Sequence, residues 1–168
     1  MNFFWSVWLV PHSNIIGRYT DLVGHFSKKY DSPIFQPHIT LFGGVNINPD
    51  KTFSFFNSIS QDYGYFHLTP TKIVADAPPW KSLVISFSPD KSLQKMQKKI
   101  RNKLQGIKKY IFDPHLSLVY GNIKIKKSNY KCISLDESIC FSDVSLVVTS
   151  DNIDRWKVIR TFNLKNTN

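Results

Sequence analysis

Pro37-His38-Ile39-Thr40-Leu41 and Pro114-His115-Leu116-Ser117-Leu118 repeat one pattern: proline, histidine, aliphatic, hydroxyl, leucine. Side chains on a strand point alternately to its two faces. His38 therefore shares a face with Thr40, and His115 with Ser117, while Ile39, Leu41, Leu116 and Leu118 pack behind. Each segment follows a strand and an amphipathic helix. The strand ahead of the first covers residues 3–10; the strand ahead of the second is Ser-Leu-Val-Ile-Ser-Phe-Ser, 82–88. Trp8 precedes His38 by 30 residues, and Ile85 precedes His115 by 30. This coarse repeat predicts two lobes of matched topology.

Outward from the two segments, the periodicity predicts a helix over 14–30. Ile15, Ile16, Tyr19, Leu22, Val23, Phe26 and Tyr30 lie at helical spacing, with Ser13 as N-cap. A clearer helix spans 90–105, with Asp90 as cap and Leu93, Met96, Ile100 and Leu104 as its apolar stripe. A strand over 36–43 closes at Gly43-Gly44, and 49–60 reads as a helix. Residues 65–75, 114–120, 141–149 and 156–164 read as extended. Strands outnumber helices and connections are short. The expectation is an α+β fold of mostly antiparallel sheet, with residues 1–168 forming a single bilobal domain in which each lobe contributes one His-x-Thr/Ser strand.

Two imidazoles beside two hydroxyls suit phosphodiester cleavage without a metal. One neutral imidazole takes a proton from the attacking oxygen, and the other, protonated, donates to the leaving oxygen. An unperturbed pKa near 6.5 serves both roles at neutral pH. The hydroxyls can donate to non-bridging phosphate oxygens as charge builds there. His25-Phe26-Ser27 and His67-Leu68-Thr69 also read His-x-Ser/Thr. His25 falls in a helix, where residues two apart do not share a face. His67 lacks the preceding proline and the strand–helix context. From these residues alone, His38 and His115 are either a catalytic pair or two hydrogen-bonded structural histidines.

The chain has 168 residues and a formal charge of +10, and its 42% hydrophobic content excludes a disordered chain. Residues 91–131 hold twelve basic residues and one acid, a net +11; the rest balances to 10 − 11 = −1. Such a field points to an anionic partner or to a solvated lysine-rich face. Cys132 and Cys140 make neither a disulfide framework nor a zinc pattern, and read as reduced thiols. The apolar start lacks a basic n-region and a cleavage site, and no run is long enough to span a bilayer, so the expected location is the cytoplasm with no membrane contact. Gly43-Gly44 lacks a P-loop pattern, and no His or carboxylate spacing suits a metal; no cofactor is expected.

The two Pro-His-x-Thr/Ser segments resemble the signature of the two-histidine phosphoesterase superfamily. Ser6-Val7-Trp8-Leu9-Val10-Pro11 and Trp156-Lys157-Val158-Ile159-Arg160-Thr161-Phe162 are similar to its cyclic phosphodiesterase branch. The resemblance implies two antiparallel sheets flanked by helices around a central cleft. It implies metal-independent hydrolysis of 2′,3′-cyclic nucleotides or ADP-ribose 1″,2″-cyclic phosphate to monoesters. By the same resemblance His38 and His115 are catalytic, His115 as base and His38 as acid. Thr40, Ser117 and Tyr120 bind phosphate, and Trp8 faces the cleft. Strict alternation puts Tyr120 on the wrong face unless the strand bends near Gly121.

Trp80, after Pro78-Pro79, is a candidate base-stacking residue beside Trp8, or else an anchor for its loop. Trp5 and Trp156 read as core, Lys72 and Lys81 as solvated rather than as contacts to substrate phosphate, and His12 and His25 as surface or structural. The expected partner is a nucleotide or oligonucleotide cyclic phosphate bound by a monomer, with RNA contact through 91–131 as a candidate. Two other readings stand beside this: a phosphodiesterase for RNA ends or for 2′,5′-linked or cyclic oligonucleotides, and a non-catalytic nucleotide- or RNA-binding module.

Overall fold

A computed structural model describes residues 4–104 and 111–166 of the chain. Eight strands form one antiparallel sheet: β1 Trp5–Pro11, β2 Ile39–Val45, β3 Phe66–Leu68, β4 Pro70–Val74, β5 Leu83–Phe87, β6 His115–Val119, β7 Ile139–Val148 and β8 Lys157–Asn163. Three α-helices accompany them: α1 Ile16–Tyr30, α2 Phe53–Asp62 and α3 Lys91–Leu104. The order across the sheet is β3-β7-β1-β2-β6-β5-β4, with β8 also on β7. The fold is α+β, as the strand-rich pattern predicts.

The two expected sheets are thus one continuous sheet, but its halves meet at a seam. β2 pairs with β6 through a single register position, Ile39 opposite Leu116. These are the aliphatic residues that follow the two histidines. In antiparallel register, that pairing sets His38 opposite Ser117 and Thr40 opposite His115. The neighbouring ladders extend the row, with Trp8 opposite Thr40 and Ser145, and Ser86 opposite His115.

The other face of the sheet is the core. Ile39, Leu41, Leu116 and Leu118 are buried there with Phe26 of α1 and with Leu93, Met96, Ile100 and Leu104 of α3. Fully burying such a side chain contributes about 1.5–3 kcal/mol, and the predicted stripe of α3 is wholly buried. Gln97, also buried, donates Nε2–H to the Leu41 carbonyl at 3.1 Å and ties α3 to β2 directly behind the first motif. The Asp90 carboxylate caps α3 by accepting from the Leu93 N–H at 2.7 Å.

Some local expectations change. Ser13 does not cap α1: the helix starts at Ile16, and the His12 carbonyl accepts from the amides of Ile15 and Ile16. Gly43-Gly44 does not end β2. The strand runs on to Val45, opposite Trp5, and Gly44 takes φ 72° where the register shifts. A 3₁₀ turn, Pro49–Thr52, precedes α2, and the extended stretch over 65–75 divides into β3 and β4 at Thr69. The end of the 90–105 helix, and Lys108 and Lys109 of the basic run, lie outside the described residues.

The segment after β6 is pinned to α1 rather than paired. Arg18 lies 3.0 Å from Asp136 and donates to the Ser134 carbonyl at 2.8 Å, while the Tyr19 hydroxyl donates to Asp136. Among the described residues, no helix is long and apolar enough to cross a membrane.

Candidate active site

His38 stands one residue ahead of β2. Its Nδ1–H donates to the Gln36 carbonyl at 2.7 Å, which leaves Nε2 with the lone pair in the neutral ring. The imidazole is buried and stacked on the Trp8 indole, with centroids 3.6 Å apart and planes 10° from parallel. Burial pushes its pKa down to about 3, against the smaller opposing effect of the Gln36 carbonyl. His115 opens β6 and repeats the arrangement, donating Nδ1–H to the Asp113 carbonyl at 2.7 Å. Burial lowers its pKa too, and less of the ring is enclosed.

Ser117 is buried, its hydroxyl 3.4 Å from the Trp80 carbonyl and in hydrogen-bond contact with Tyr120. Thr40 is half-buried on the same face, across the seam from His115. Tyr120 reaches this face because β6 ends at Val119. Gly121 then takes φ 120°, a conformation that favours glycine, and donates its N–H to the Pro79 carbonyl at 2.8 Å. Ser82 donates to the Gly121 carbonyl and holds the turn. The Tyr120 ring then packs against Phe35 at 4.2 Å and Trp80 at 5.8 Å. Burial pushes its pKa up to about 12, so the phenol keeps its proton.

Trp156 corrects its reading as a core residue. Its ring lies edge-on to Trp8 at 5.4 Å, to Tyr120 at 5.7 Å and to His38 at 6.2 Å, and its N–H donates to the Ser150 carbonyl at 2.8 Å. The signal in the sequence is the polar content of the strand that follows, with Lys157, Arg160, Thr161 and Asn163, and the structure shows that strand mostly exposed at the sheet edge. Trp5, by contrast, is fully buried in the core as expected and donates to the Ile47 carbonyl at 2.7 Å.

Two recesses lie among the aromatic neighbours of the motifs, and neither His38 nor His115 is in the wall of either. One, of about 350 Å³, has Trp8, Phe35, Gln36, Val147 and Trp156 in its wall. The other, of about 440 Å³, has Pro79, Trp80, Tyr120 and Gly121. Ile153 and Asp154 border both. Trp80 is 46% exposed, an open aromatic face beside Tyr120.

Lys81 is not a freely solvated lysine. Its ammonium pairs with Asp113 and stands 3.7 Å from Asp76, while Asp113 Oδ2 is 3.9 Å from His115 Nδ1. Lys72 is exposed. The other histidines lie elsewhere: His67 is exposed on β3 opposite Cys140, His25 is exposed on α1, and His12 bonds Asn14 at 2.8 Å.

The basic helix α3 covers the core face, so its lysines do not line this site. Lys99 pairs with Asp62 at 3.3 Å, and Lys103 lies over the Phe55 ring at 5.9 Å. Among the described residues, no group of three His, Cys, Asp or Glu could hold a metal ion. Cys132 is exposed and Cys140 half-buried, both free.

Comparison with known proteins bears on the family and the fold. The family model of "Cyclic phosphodiesterase-like protein" matches residues 3–168. A Staphylococcus saprophyticus protein named "Putative phosphoesterase SSP1770" is 24% identical over 163 residues, covering 87% of this chain and 92% of its own. Among solved structures, E. coli LigT complexed with 3′-AMP superposes with TM-score 0.66 at 14% identity, over 98% of this chain and 99% of its own. TT0787 of Thermus thermophilus does so with TM-score 0.63 at 10% identity, over 98% of this chain and 100% of its own. At these identities the two structures show a shared fold.

Proposed function

The chain belongs to the cyclic phosphodiesterase-like family of two-histidine phosphoesterases, and from that premise we propose that it hydrolyses a ribose cyclic phosphate, a 2′,3′-cyclic nucleotide or ADP-ribose 1″,2″-cyclic phosphate, to a monoester. The observation that carries this reading is the seam. Pairing of Ile39 with Leu116 brings two imidazoles and two hydroxyls onto one face, next to the aromatic rings of Trp8, Trp156 and Tyr120.

On this reading the cyclic phosphate lies over the seam. One imidazole removes a proton from water as its oxygen attacks phosphorus. The other protonates the departing ribose oxygen, and the ring opens to a monoester. Thr40 and Ser117 donate to the non-bridging oxygens, where charge grows in the transition state. The Tyr120 phenol, held protonated by its burial, is a third donor. Trp80, exposed beside Tyr120, offers an aromatic face for the base, a contact worth about 1–3 kcal/mol, whereas Trp8 is buried with its face taken by His38 and supports that ring instead of stacking on substrate.

The test is hydrolysis of 2′,3′-cyclic AMP and of ADP-ribose 1″,2″-cyclic phosphate in the presence of EDTA. Wild-type turnover should persist, fall at least about 100-fold in His38→Ala and in His115→Ala, and stay unchanged in His67→Ala. Loss of turnover in His67→Ala with the other two variants active would refute the assignment.

A second reading, an RNA end or short oligonucleotide as substrate, is favoured by the two adjoining recesses, which leave room for a second base. Oligonucleotides ending in a cyclic phosphate would then be cleaved in preference to the mononucleotide. A substrate that contacts several phosphates would also bind more weakly as salt rises.

A further inference from the structure

Two stretches of the basic run come to lie on the helix side of the sheet, away from the histidines. α3 packs on β2 and α1 on the neighbouring β6, both against the core face. Over its 14 residues α3 carries Lys91, Lys95, Lys98, Lys99, Arg101 and Lys103 and no acid. The segment after β6 carries Lys124, Lys126, Lys127 and Lys131, all exposed. It is tied to α1 through Arg18 and Asp136 and through Lys29, which donates to Asn129 at 3.2 Å.

Within α3 the cations are sorted. Leu93, Met96, Gln97, Ile100 and Leu104 are buried. Lys91, Lys95 and Lys98 follow at i, i+4 and i+7 along the opposite ridge, with Arg101 beside its end. Lys99 and Lys103 lie to one flank, where they meet Asp62 and the Phe55 ring of α2. Among the described residues, none of Lys91, Lys95, Lys98 and Arg101 is in an ion pair. The carboxylate next to them in sequence, Asp90, is engaged by the Leu93 amide. Like charges one turn apart repel, so the ridge weakens its own helix. An anion laid along it removes that repulsion.

The chemistry of the ridge selects among polyanions. Every exposed residue of α3 is polar or charged, with Ser92, Gln94 and Asn102 between the cations. Its apolar stripe is taken up by the core, so α3 has no face to sink into a lipid surface. A protein partner would need an apolar or aromatic anchor, which the ridge lacks. A nucleic-acid backbone needs only cations and hydrogen-bond donors at close intervals. From Lys91 to Arg101 the ridge offers four charges over about 15 Å.

We propose that the outer ridge of α3, formed by Lys91, Lys95, Lys98 and Arg101, is a docking surface for the phosphodiester backbone of a nucleic-acid strand. It stands on the side of the sheet opposite the histidine site and does not rest on the cyclic-phosphate reading. Its contacts are to phosphate, so it reads no base sequence.

The experiment is fluorescence anisotropy with a labelled oligouridylate of about 16 nucleotides. Its ordinary 3′-hydroxyl end offers the histidine site no cyclic phosphate. Wild-type protein should bind it, and log Kd should rise against log salt with a slope of about 3, or about 0.7 for each of four phosphates. Oligodeoxythymidylate of the same length should bind alike. Replacing Lys91, Lys95, Lys98 and Arg101 together by glutamine should weaken binding about tenfold or more at low salt and remove most of the slope. That variant should keep wild-type turnover of 2′,3′-cyclic AMP and a urea midpoint no lower than wild type. Lys98→Glu alone should weaken binding several-fold.

A control removes the same charge elsewhere. Lys51, Lys72, Lys157 and Lys165, exposed on other elements, are replaced together by glutamine, and most of the affinity and slope should remain. Equal losses in the two fourfold variants would show attraction to net charge alone and overturn the proposal. So would no binding at low salt, or displacement of the strand by 3′-AMP at constant ionic strength, which would place it in the cleft. Binding of only one of the two oligonucleotides would show that the sugar is read, not the phosphate, and would also overturn it. Capture by phosphatidylserine vesicles without affinity for either strand would assign the ridge to a membrane instead. Wild-type protein that binds the strand but hydrolyses no cyclic phosphate would refute the functional reading and leave the docking surface standing.

Discussion

Replacing His38 with glutamine should flatten the response of stability to acid. His38 is 3% exposed, stacked on Trp8, and has a pKa near 3 because burial disfavours the imidazolium. In the unfolded chain the same group titrates near 6.5. Between these values the unfolded state binds a proton that the folded state refuses, so acid favours unfolding. The stabilising effect is complete above about pH 6.5 and is lost as pH falls towards 3. From pH 7 to pH 5 the linkage integral gives a loss of about 2 kcal/mol from this group alone. The His38→Gln variant has no such term, while the lowered pKa of His115 acts equally in both chains. Urea denaturation at pH 7 and pH 5, in buffer free of phosphate so that no anion occupies the site, reads the difference directly. The wild-type midpoint should fall by about 1 M more than that of the variant, given a slope of about 2 kcal/mol per molar. Equal acid responses in the two proteins would show that His38 titrates as an ordinary exposed histidine, and the argument from its burial would fail.

Three further outcomes follow from the packing. Replacing Lys95, Lys98, Lys99 and Lys103 together by glutamine should leave kcat/KM at low salt unchanged, because α3 covers the sheet face opposite the histidines; a several-fold drop would mean that its field reaches the cleft. Trp156→Ala should raise KM about tenfold or more with modest effect on the urea midpoint. Trp5→Ala, fully buried, should cost about 3–5 kcal/mol of stability; equal stability losses in the two would return Trp156 to the core. Asp136→Ala leaves the Tyr19 hydroxyl without its acceptor and Arg18 with only its Ser134 contact, and should cost about 1–3 kcal/mol with kcat retained; an unchanged urea midpoint would show that this clasp adds nothing.

Much of the scaffold was legible in the chain because its signals are local. The stripe of α3, the Asp90 cap and the alternation through both histidine segments depend on residues within a few positions of one another. Ser13 and Gly43-Gly44 were misread for the same reason. Cap and breaker chemistry are local preferences, and here the His12 carbonyl and the pairing of Val45 with Trp5 override them. Trp156 and the Lys81–Asp113–Asp76 group were missed because their partners lie far away along the chain. The basic run from 91 to 131 points to an anionic partner or to a solvated face, and the stripe that made α3 legible turns the lysines of that helix away from the cleft.

By itself, then, the sequence determined which residues share a face. His38 goes with Thr40, His115 with Ser117, and the leucines go behind, because strand alternation is a property of the backbone. Only the tertiary structure decided what stands across from them. The single Ile39–Leu116 pairing aligns the two motifs, the turn at Gly121 brings Tyr120 around, and the fold sets a carboxylate behind one imidazole and an indole against the other. Proton affinity depends on burial and on charges a few ångströms away, and those distances exist only once the chain has folded.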